Sequence, residues 1–233
     1  MGKDKLRRFE ENKNFHNLYQ PSFDEIFHRD YELKGRWGEH VFGNNHPIVL
    51  ELGCGKGEYT LALAALHEDM NFLGMDIKGA RLWRGARTAL EEHRSNVAFV
   101  RGRIEFIESF FGPGEVSEIW ITFPDPQPKR ENKRLTAPPF LNKYKAFLKP
   151  EAVIHLKTDS RELFDYTKEV VQQREDMRIL EAIPDIYRSG EVPAHEILSV
   201  RTYYESHFLA QGKAITYLKF AVDNPAIQTE AAG

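Results

Sequence analysis

The chain has a single cysteine, Cys54, among 233 residues, so no intrachain disulfide can form. That excludes a disulfide-stapled scaffold and predicts a reducing, cytoplasmic setting. No apolar run approaches the ~20 residues that a membrane-spanning helix needs, and the hydrophilic residues 1–14 lack the apolar core of a signal peptide. A membrane partner is therefore not expected. Neither sign of charge dominates: 32 Lys and Arg stand against 35 Asp and Glu, a net charge of −3. The chain as a whole does not attract nucleic acid, and any such partner has to be held by local basic patches. The nine histidines are scattered rather than grouped at ligand spacing, which gives no candidate metal site.

Hydrophobic residues make up 41% of the chain and aromatics 12%, which argues against disorder and for one α/β domain with a sizeable core. No repeat and no Pro/Gly/Ser-rich linker divides it. Residues 1–33 read as an N-terminal arm with a short helix, 34–223 as the main domain and 224–233 as a frayed tail. Within the arm, Lys3, Lys5, Arg7, Arg8 and Lys13 mix with Asp4, Glu10 and Glu11. This pattern predicts a solvated, partly mobile segment, with a basic arm touching a polyanion as the alternative. Ser22 with Glu25 three residues later is a capping box for a short helix.

The organising stretch is Pro47-Ile-Val-Leu-Glu-Leu-Gly-Cys-Gly-Lys-Gly-Glu, an apolar run that breaks into glycines at 53, 55 and 57. It predicts a buried parallel strand, a tight turn and a helix opening near Glu58. A dinucleotide fingerprint would place its third glycine at 58, where this chain has Glu58. Glu51 and Glu58 would serve a pyrophosphate poorly but suit a ligand carrying an ammonium and a sulfonium. About 20 residues on, Asn71-Phe-Leu-Gly-Met-Asp76 is a second strand ending in an acid placed to take both hydroxyls of a ribose. Together they point to S-adenosylmethionine, with a nicotinamide cofactor or a structural turn as alternatives.

Strand and helix patterns alternate onward, which implies a mainly parallel sheet. A helix over 78–93 carries Arg81, Arg84 and Arg87 beside Trp83, either a solvated face or one wall of a phosphate-binding groove. Strands follow at 96–101 and 118–123, with a turn at 112–114. The second of these runs into Thr122-Phe-Pro-Asp-Pro-Gln-Pro-Lys-Arg-Glu-Asn-Lys-Arg134. Pro124, Pro126 and Pro128 restrict the backbone around Asp125, while Lys129, Arg130, Lys133 and Arg134 either neutralise phosphates or form the solvated basic run of a proline-rich surface turn. Beyond a helix over 136–148 and a strand over 152–156, Asp159 either joins the same rim or serves the helix capped by Ser160. A strand near 178–182 and an irregular stretch containing Pro184, Gly190 and Pro193 come next. A helix around 202–209 opens with Thr202, Tyr203, Tyr204 and Glu205, which present hydroxyls, aromatic surface and an acid together but on their own read as a packed helix turn, and a final strand spans 213–222.

These stretches together resemble the bacterial tRNA (guanine-N7-)-methyltransferase family. The likeness runs from about residue 34 to residue 220. It is carried by the glycine loop, Gly74-Met-Asp-Ile, Phe123-Pro-Asp-Pro-Gln-Pro-Lys-Arg with Asn132-Lys-Arg-Leu, Lys157-Thr-Asp, and Thr202-Tyr-Tyr-Glu. The resemblance implies a Rossmann-like class I methyltransferase: a seven-stranded, mainly parallel sheet with helices on both faces. S-adenosylmethionine is the implied donor, and the implied acceptor is guanosine in the tRNA variable loop, conventionally position 46. By motif, Glu51, Gly53, Gly55, Gly57, Asp76, Arg103 and Asp125 belong to the cofactor site, with Asp125 at the point of methyl transfer. Lys129, Asp159, Thr202, Tyr203, Tyr204 and Glu205 match substrate-binding positions. The family commonly has tryptophan at Gln127 and Asp or Asn at Arg103; here Arg103 contributes its backbone, with Glu105 as a substitute acid. Tyr203, Tyr204 or Trp37 is available to cover a displaced base, and either a monomer or a homodimer fits. Competing readings are a class I methyltransferase for a small molecule or protein, and a non-catalytic tRNA-binding relative.

Overall fold

A computed structural model of the chain describes residues 2–188 and 196–223. It opens with α1 (Gly2–Asn12), β1 (Leu18–Tyr19) and α2 (Phe23–Ile26). β2 (Ile48–Leu52), α3 (Glu58–Leu66), β3 (Asn71–Asp76), α4 (Gly79–Glu91) and β4 (Val97–Arg101) then alternate. β5 (Val116–Thr122), α5 (Pro138–Lys145), β6 (Leu148–Thr158) and α6 (Arg161–Gln172) continue the pattern. β7 (Met177–Ile183), α7 (Glu196–Ser199), α8 (Tyr203–Ala210) and β8 (Thr216–Val222) follow.

One sheet collects the strands in the order β1-β4-β3-β2-β5-β6-β8-β7. Every pairing is parallel except those of β8, which runs antiparallel to both β6 and β7. All five residues of β2 are buried, as a parallel strand covered on both faces requires. Leu50 and Leu52 enter the core on one side, with Phe110 and Leu141; Val49 enters the other, with Tyr59 and Leu63. Strand order reverses between β2 and β5, which opens a crevice beyond their carboxyl ends.

The sheet has eight strands among the described residues where seven are expected. The additional one, β1, pairs Leu18 with Phe99 and Tyr19 with Val100 on the outer edge of β4, and two residues are too few to leave a periodic signal. The N-terminal segment also departs from expectation. It forms α1, docked on α4: the Asn12 side chain donates to the Gly79 carbonyl at 2.9 Å, and Glu11 accepts from the Trp83 indole at 2.6 Å. The arginines at 8 and 87 lie over the same indole, 4.8 and 5.2 Å from its ring centre. Trp83, itself nearly buried, anchors this contact, and local sequence statistics cannot see so distant a partner.

Glu25 accepts the Ser22 backbone N–H at 2.8 Å, and Pro138 and Pro139 occupy the first turn of α5, where a missing N–H is harmless. The expected frayed tail after residue 223, and the Gly190 and Pro193 of the irregular stretch, lie outside the described residues. Among those described, no helix is long and apolar enough to cross a membrane.

Candidate active site

The glycine loop leaves β2 at the strand-order reversal. Gly53, Gly55 and Gly57 all take positive φ (+73°, +58° and +72°). A side chain at Gly53 or Gly55 would meet no atom within 4 Å, so the loop backbone there faces open space. Gly57 has the opposite constraint: a Cβ would lie 2.5 Å from the Phe99 ring, so glycine lets α3 start hard against β4.

Two acids flank the loop. Asp76, ending β3, accepts from the Gly55 N–H at 3.0 Å and the Lys78 N–H at 2.7 Å, one on each oxygen. Glu51 lies almost fully buried in β2, accepting from the Thr60 N–H at 2.8 Å and from the hydroxyls of Thr60 and Thr122. Burial pushes its carboxyl up to about 7, against the pull of the threonine hydroxyls. Burial likewise pushes up the thiol of Cys54, between the two acids.

The proline loop leaves the end of β5 on the other side of the crevice. Phe123 and Gln127 both sit at positive φ, +47° and +46°, an unfavourable conformation for side chains with a Cβ. Asp125 lies between them, and its carboxylate accepts the Gln127 N–H at 3.1 Å. The loop is fastened by Arg134, which donates to the Pro126 carbonyl at 2.9 Å, pairs with Glu162 on α6, and stacks 4.4 Å above Tyr166. With its side chain 1% exposed, Arg134 is a structural strut. The expectation that it faces phosphates is corrected; Lys129, Arg130 and Lys133 are the exposed bases of this loop.

Two cavities meet at Asp125. One, of about 560 Å³, is lined by Asp76, Gly102, Arg103, Glu105 and the exposed Arg130 and Lys133. The other, of about 490 Å³, runs from Glu51 and the glycine loop to Asp159, Thr202 and Tyr204. Gly53, Arg81, Phe123, Pro124 and Asp125 line both. The Arg103 side chain points to the surface, 3.5 Å from Glu105. Asp159 is held by Lys213 at 2.6 Å.

The remaining sequence candidates separate. Thr202 caps α8 by accepting the Glu205 N–H at 3.2 Å, and Tyr203 and Tyr204 stand exposed at 61% and 41%. Glu205 turns away from both cavities. It is fully buried, 2.9 Å from the equally buried Lys157, and accepts from the Tyr187 hydroxyl at 2.8 Å. Lys129 is exposed and lines neither cavity. Trp37 is also removed as a cover for a base, since it is fully buried and donates to the Phe110 carbonyl at 2.8 Å. Four further cavity residues, none of them among the site residues that the resemblance implies, bear on the site's charge and shape. Lys56 belongs to the glycine loop itself, Arg81 to the arginine series, and Phe208 falls one helical turn after Tyr204, so each left a local signal; Lys213 left none.

A parallel sheet with an open crevice at its reversal point, a glycine loop with acids at the ends of the strands beside it, and an antiparallel strand inserted near one edge define a class I methyltransferase. A family model described as "Putative methyltransferase" matches residues 45–218. The chain is 54% identical over 222 residues to the tRNA (guanine-N(7)-)-methyltransferase of Christiangramia forsetii, covering 94% of this chain and 98% of that one. It is 44% identical over 230 residues to the enzyme of the same name from Bacteroides thetaiotaomicron, covering 99% and 90%. Among solved structures, the 16S rRNA methyltransferase KamB superposes with a TM-score of 0.61 at 14% identity, over 79% of this chain and 92% of that one. The chain belongs to the bacterial tRNA (guanine-N7-)-methyltransferase family.

Proposed function

We infer that the protein transfers a methyl group from S-adenosylmethionine to N7 of guanosine in tRNA, at position 46 of the variable loop, in the cytoplasm. The observation that carries the site reading is the seam at Asp125, where a cavity containing Asp76 meets one containing Asp159 and Thr202.

When bound, S-adenosylmethionine supplies an electrophilic methyl group on a sulfonium. The open backbone at Gly53 and Gly55 and the buried acids fit such a ligand, since the loop offers room and the carboxylates favour its positive charge. Asp76, its oxygens already oriented by two backbone N–H groups, takes the ribose hydroxyls. Glu51, which lines the other cavity, would hold the ammonium group. Arg103 contributes its backbone to the adenosyl end, and Glu105 in the same cavity supplies the acid.

Guanine N7 already carries a lone pair, so no base has to deprotonate it. A bound donor would supply its methyl carbon to that pair, with sulfur leaving on the electrons of the C–S bond. Positive charge thus leaves sulfur and appears on the purine. Asp125, fixed by the prolines and by its bond from Gln127, stabilises that developing charge and aligns the ring. Asp159, steadied by Lys213, accepts from the guanine Watson–Crick edge. Tyr203 and Tyr204 cover the base once it leaves its stack, and Lys129 meets the backbone. Glu205 acts at one remove, holding Thr202 and the two tyrosines in position.

The test is transfer of label from S-adenosylmethionine to unmodified tRNA, followed by digestion to nucleosides, with an Asp125→Ala protein alongside. The expected result is label in 7-methylguanosine, lost in the variant. Label in another nucleoside overturns the acceptor, and tRNA binding without label overturns the enzyme.

A further inference from the structure

The walls of the cavity that runs to Thr202 are acidic. Glu51, Glu58, Asp125 and Asp159 all line it, an arrangement suited to a sulfonium and hostile to a phosphodiester. A polyanionic acceptor entering there needs cations at the mouth. Three basic side chains line this cavity: Lys56, Arg81 and Lys213. Lys213 is committed to Asp159. Neither Lys56 nor Arg81 forms an ion pair or a side-chain hydrogen bond among the described residues.

Each of these two cations instead lies against one of the exposed tyrosines. The Lys56 ammonium is 4.6 Å from the centre of the Tyr203 ring, and the Arg81 guanidinium 5.9 Å from that of Tyr204. The two rings meet edge to face at 5.6 Å. Glu58 locks the arrangement, accepting the Tyr203 N–H at 3.0 Å and so tying the loop that carries Lys56 to the helix that carries the rings. Aromatic faces alternating with unpaired cations is the chemistry that holds single-stranded RNA, the rings stacking on bases and the cations taking phosphates.

We propose that Lys56 and Arg81 are phosphate-binding residues, which grip the phosphodiesters on either side of the target nucleotide. The proposal rests on the RNA-methylating reading above and adds two residues to it. Arg81, in the first turn of α4, borders both cavities, so its contact also fixes the nucleotide relative to the methyl donor.

The test compares Lys56→Met, Arg81→Met and the double variant with the wild type, using unmodified tRNA and titrating binding from 50 to 200 mM salt. Each phosphate contact contributes ~0.7–0.9 to the slope of log affinity against log salt. Each single variant is therefore expected to lose about that much slope and the double variant twice as much. Over this fourfold salt range, each lost contact makes tRNA affinity about threefold less salt-sensitive. Arg81→Lys and Lys56→Arg should keep the wild-type slope, because charge rather than shape is at issue. Donor affinity, measured by calorimetry without tRNA, should not change. Unchanged slopes in variants of an enzyme that still forms 7-methylguanosine overturn the proposal and leave the enzymatic reading intact. Lost donor affinity with an unchanged slope overturns it too, assigning the cations to the donor's carboxylate. A wild-type protein that methylates no tRNA overturns both.

Discussion

The Lys157 ammonium lies 2.9 Å from the Glu205 carboxylate with neither side chain exposed, and this pair joins the carboxyl end of β6 to α8. Lys157 spends its other two protons on the carbonyls of Leu198 and Val200, each at 3.0 Å. All three donors are satisfied, so removing either partner leaves an uncompensated buried group. Glu205→Gln is expected to cost about 3 kcal/mol, by analogy with broken buried pairs, and to lower Tm by roughly 10 °C. Denaturation of the variant measures this directly. If stability is unchanged but tRNA binding is lost, Glu205 works at the interface instead.

In the proposed mechanism Asp125 bears on catalysis through its charge, and in the structure it shapes the loop through its bond from Gln127. Asp125→Asn keeps the acceptor for that bond and removes the charge. Both Asp125→Asn and Asp125→Ala should lower kcat, by about 10²–10³-fold for the loss of a transition-state contact, while donor affinity stays within about threefold of wild type. Equal losses in turnover and donor affinity would point to collapse of the proline loop. Full activity in Asp125→Asn would remove the electrostatic role.

The bases of that loop divide into two groups. Replacing Lys129, Arg130 and Lys133 with alanine should weaken tRNA binding and flatten its salt dependence by about 2 in slope. Arg134→Ala should instead lower thermal stability, because it removes the bond to Pro126 and the pair with Glu162. A large slope change in Arg134→Ala, with melting unaffected, would return that residue to the interface.

Glu51 sets a pH dependence. Its folded carboxyl lies near pH 7, raised from 4.5 by burial, so the free enzyme holds a proton there that the unfolded chain has lost. Between these values the unfolded state binds fewer protons, and Glu51's contribution to stability declines as pH rises. A cationic donor reverses the balance by favouring the carboxylate. Donor binding between pH 4.5 and 7 should therefore release a proton, and affinity should climb with pH to a plateau above about 7. Calorimetry in buffers of different ionisation enthalpy counts that proton. Its persistence in Glu51→Gln would assign it to another group.

How far the sequence reaches depends on how local each signal is. The glycine loop, the acid ending β3 and the proline loop are contiguous, and each specifies its own conformation; all three were legible. So was the alternation that makes the sheet parallel. Arg134 was misread, and the substrate role that the resemblance implies for Glu205 meets a buried ion pair, because the chemistry of each is decided by residues 28 and 48 positions away, Glu162 and Lys157. α1 was misread for the same reason: its mixed charges suit a solvated arm, and only the remote Trp83 makes it a docked helix. Burial reverses the meaning of a charged residue, and burial is settled by tertiary structure.

The position of β8 has a consequence for how the molecule comes into being. Synthesis delivers β7 before β8, yet among the described residues β7 pairs with the sheet only through β8. β8 pairs with β6 on one side and β7 on the other, and the helix bearing Tyr203 and Tyr204 lies in the connection between β7 and β8. Both pairings of β8 join segments far apart in sequence, and contacts of that kind form slowly. A chain cut before β8 is therefore expected to bind no tRNA, because the helix bearing Tyr203 and Tyr204 is then anchored on one side only.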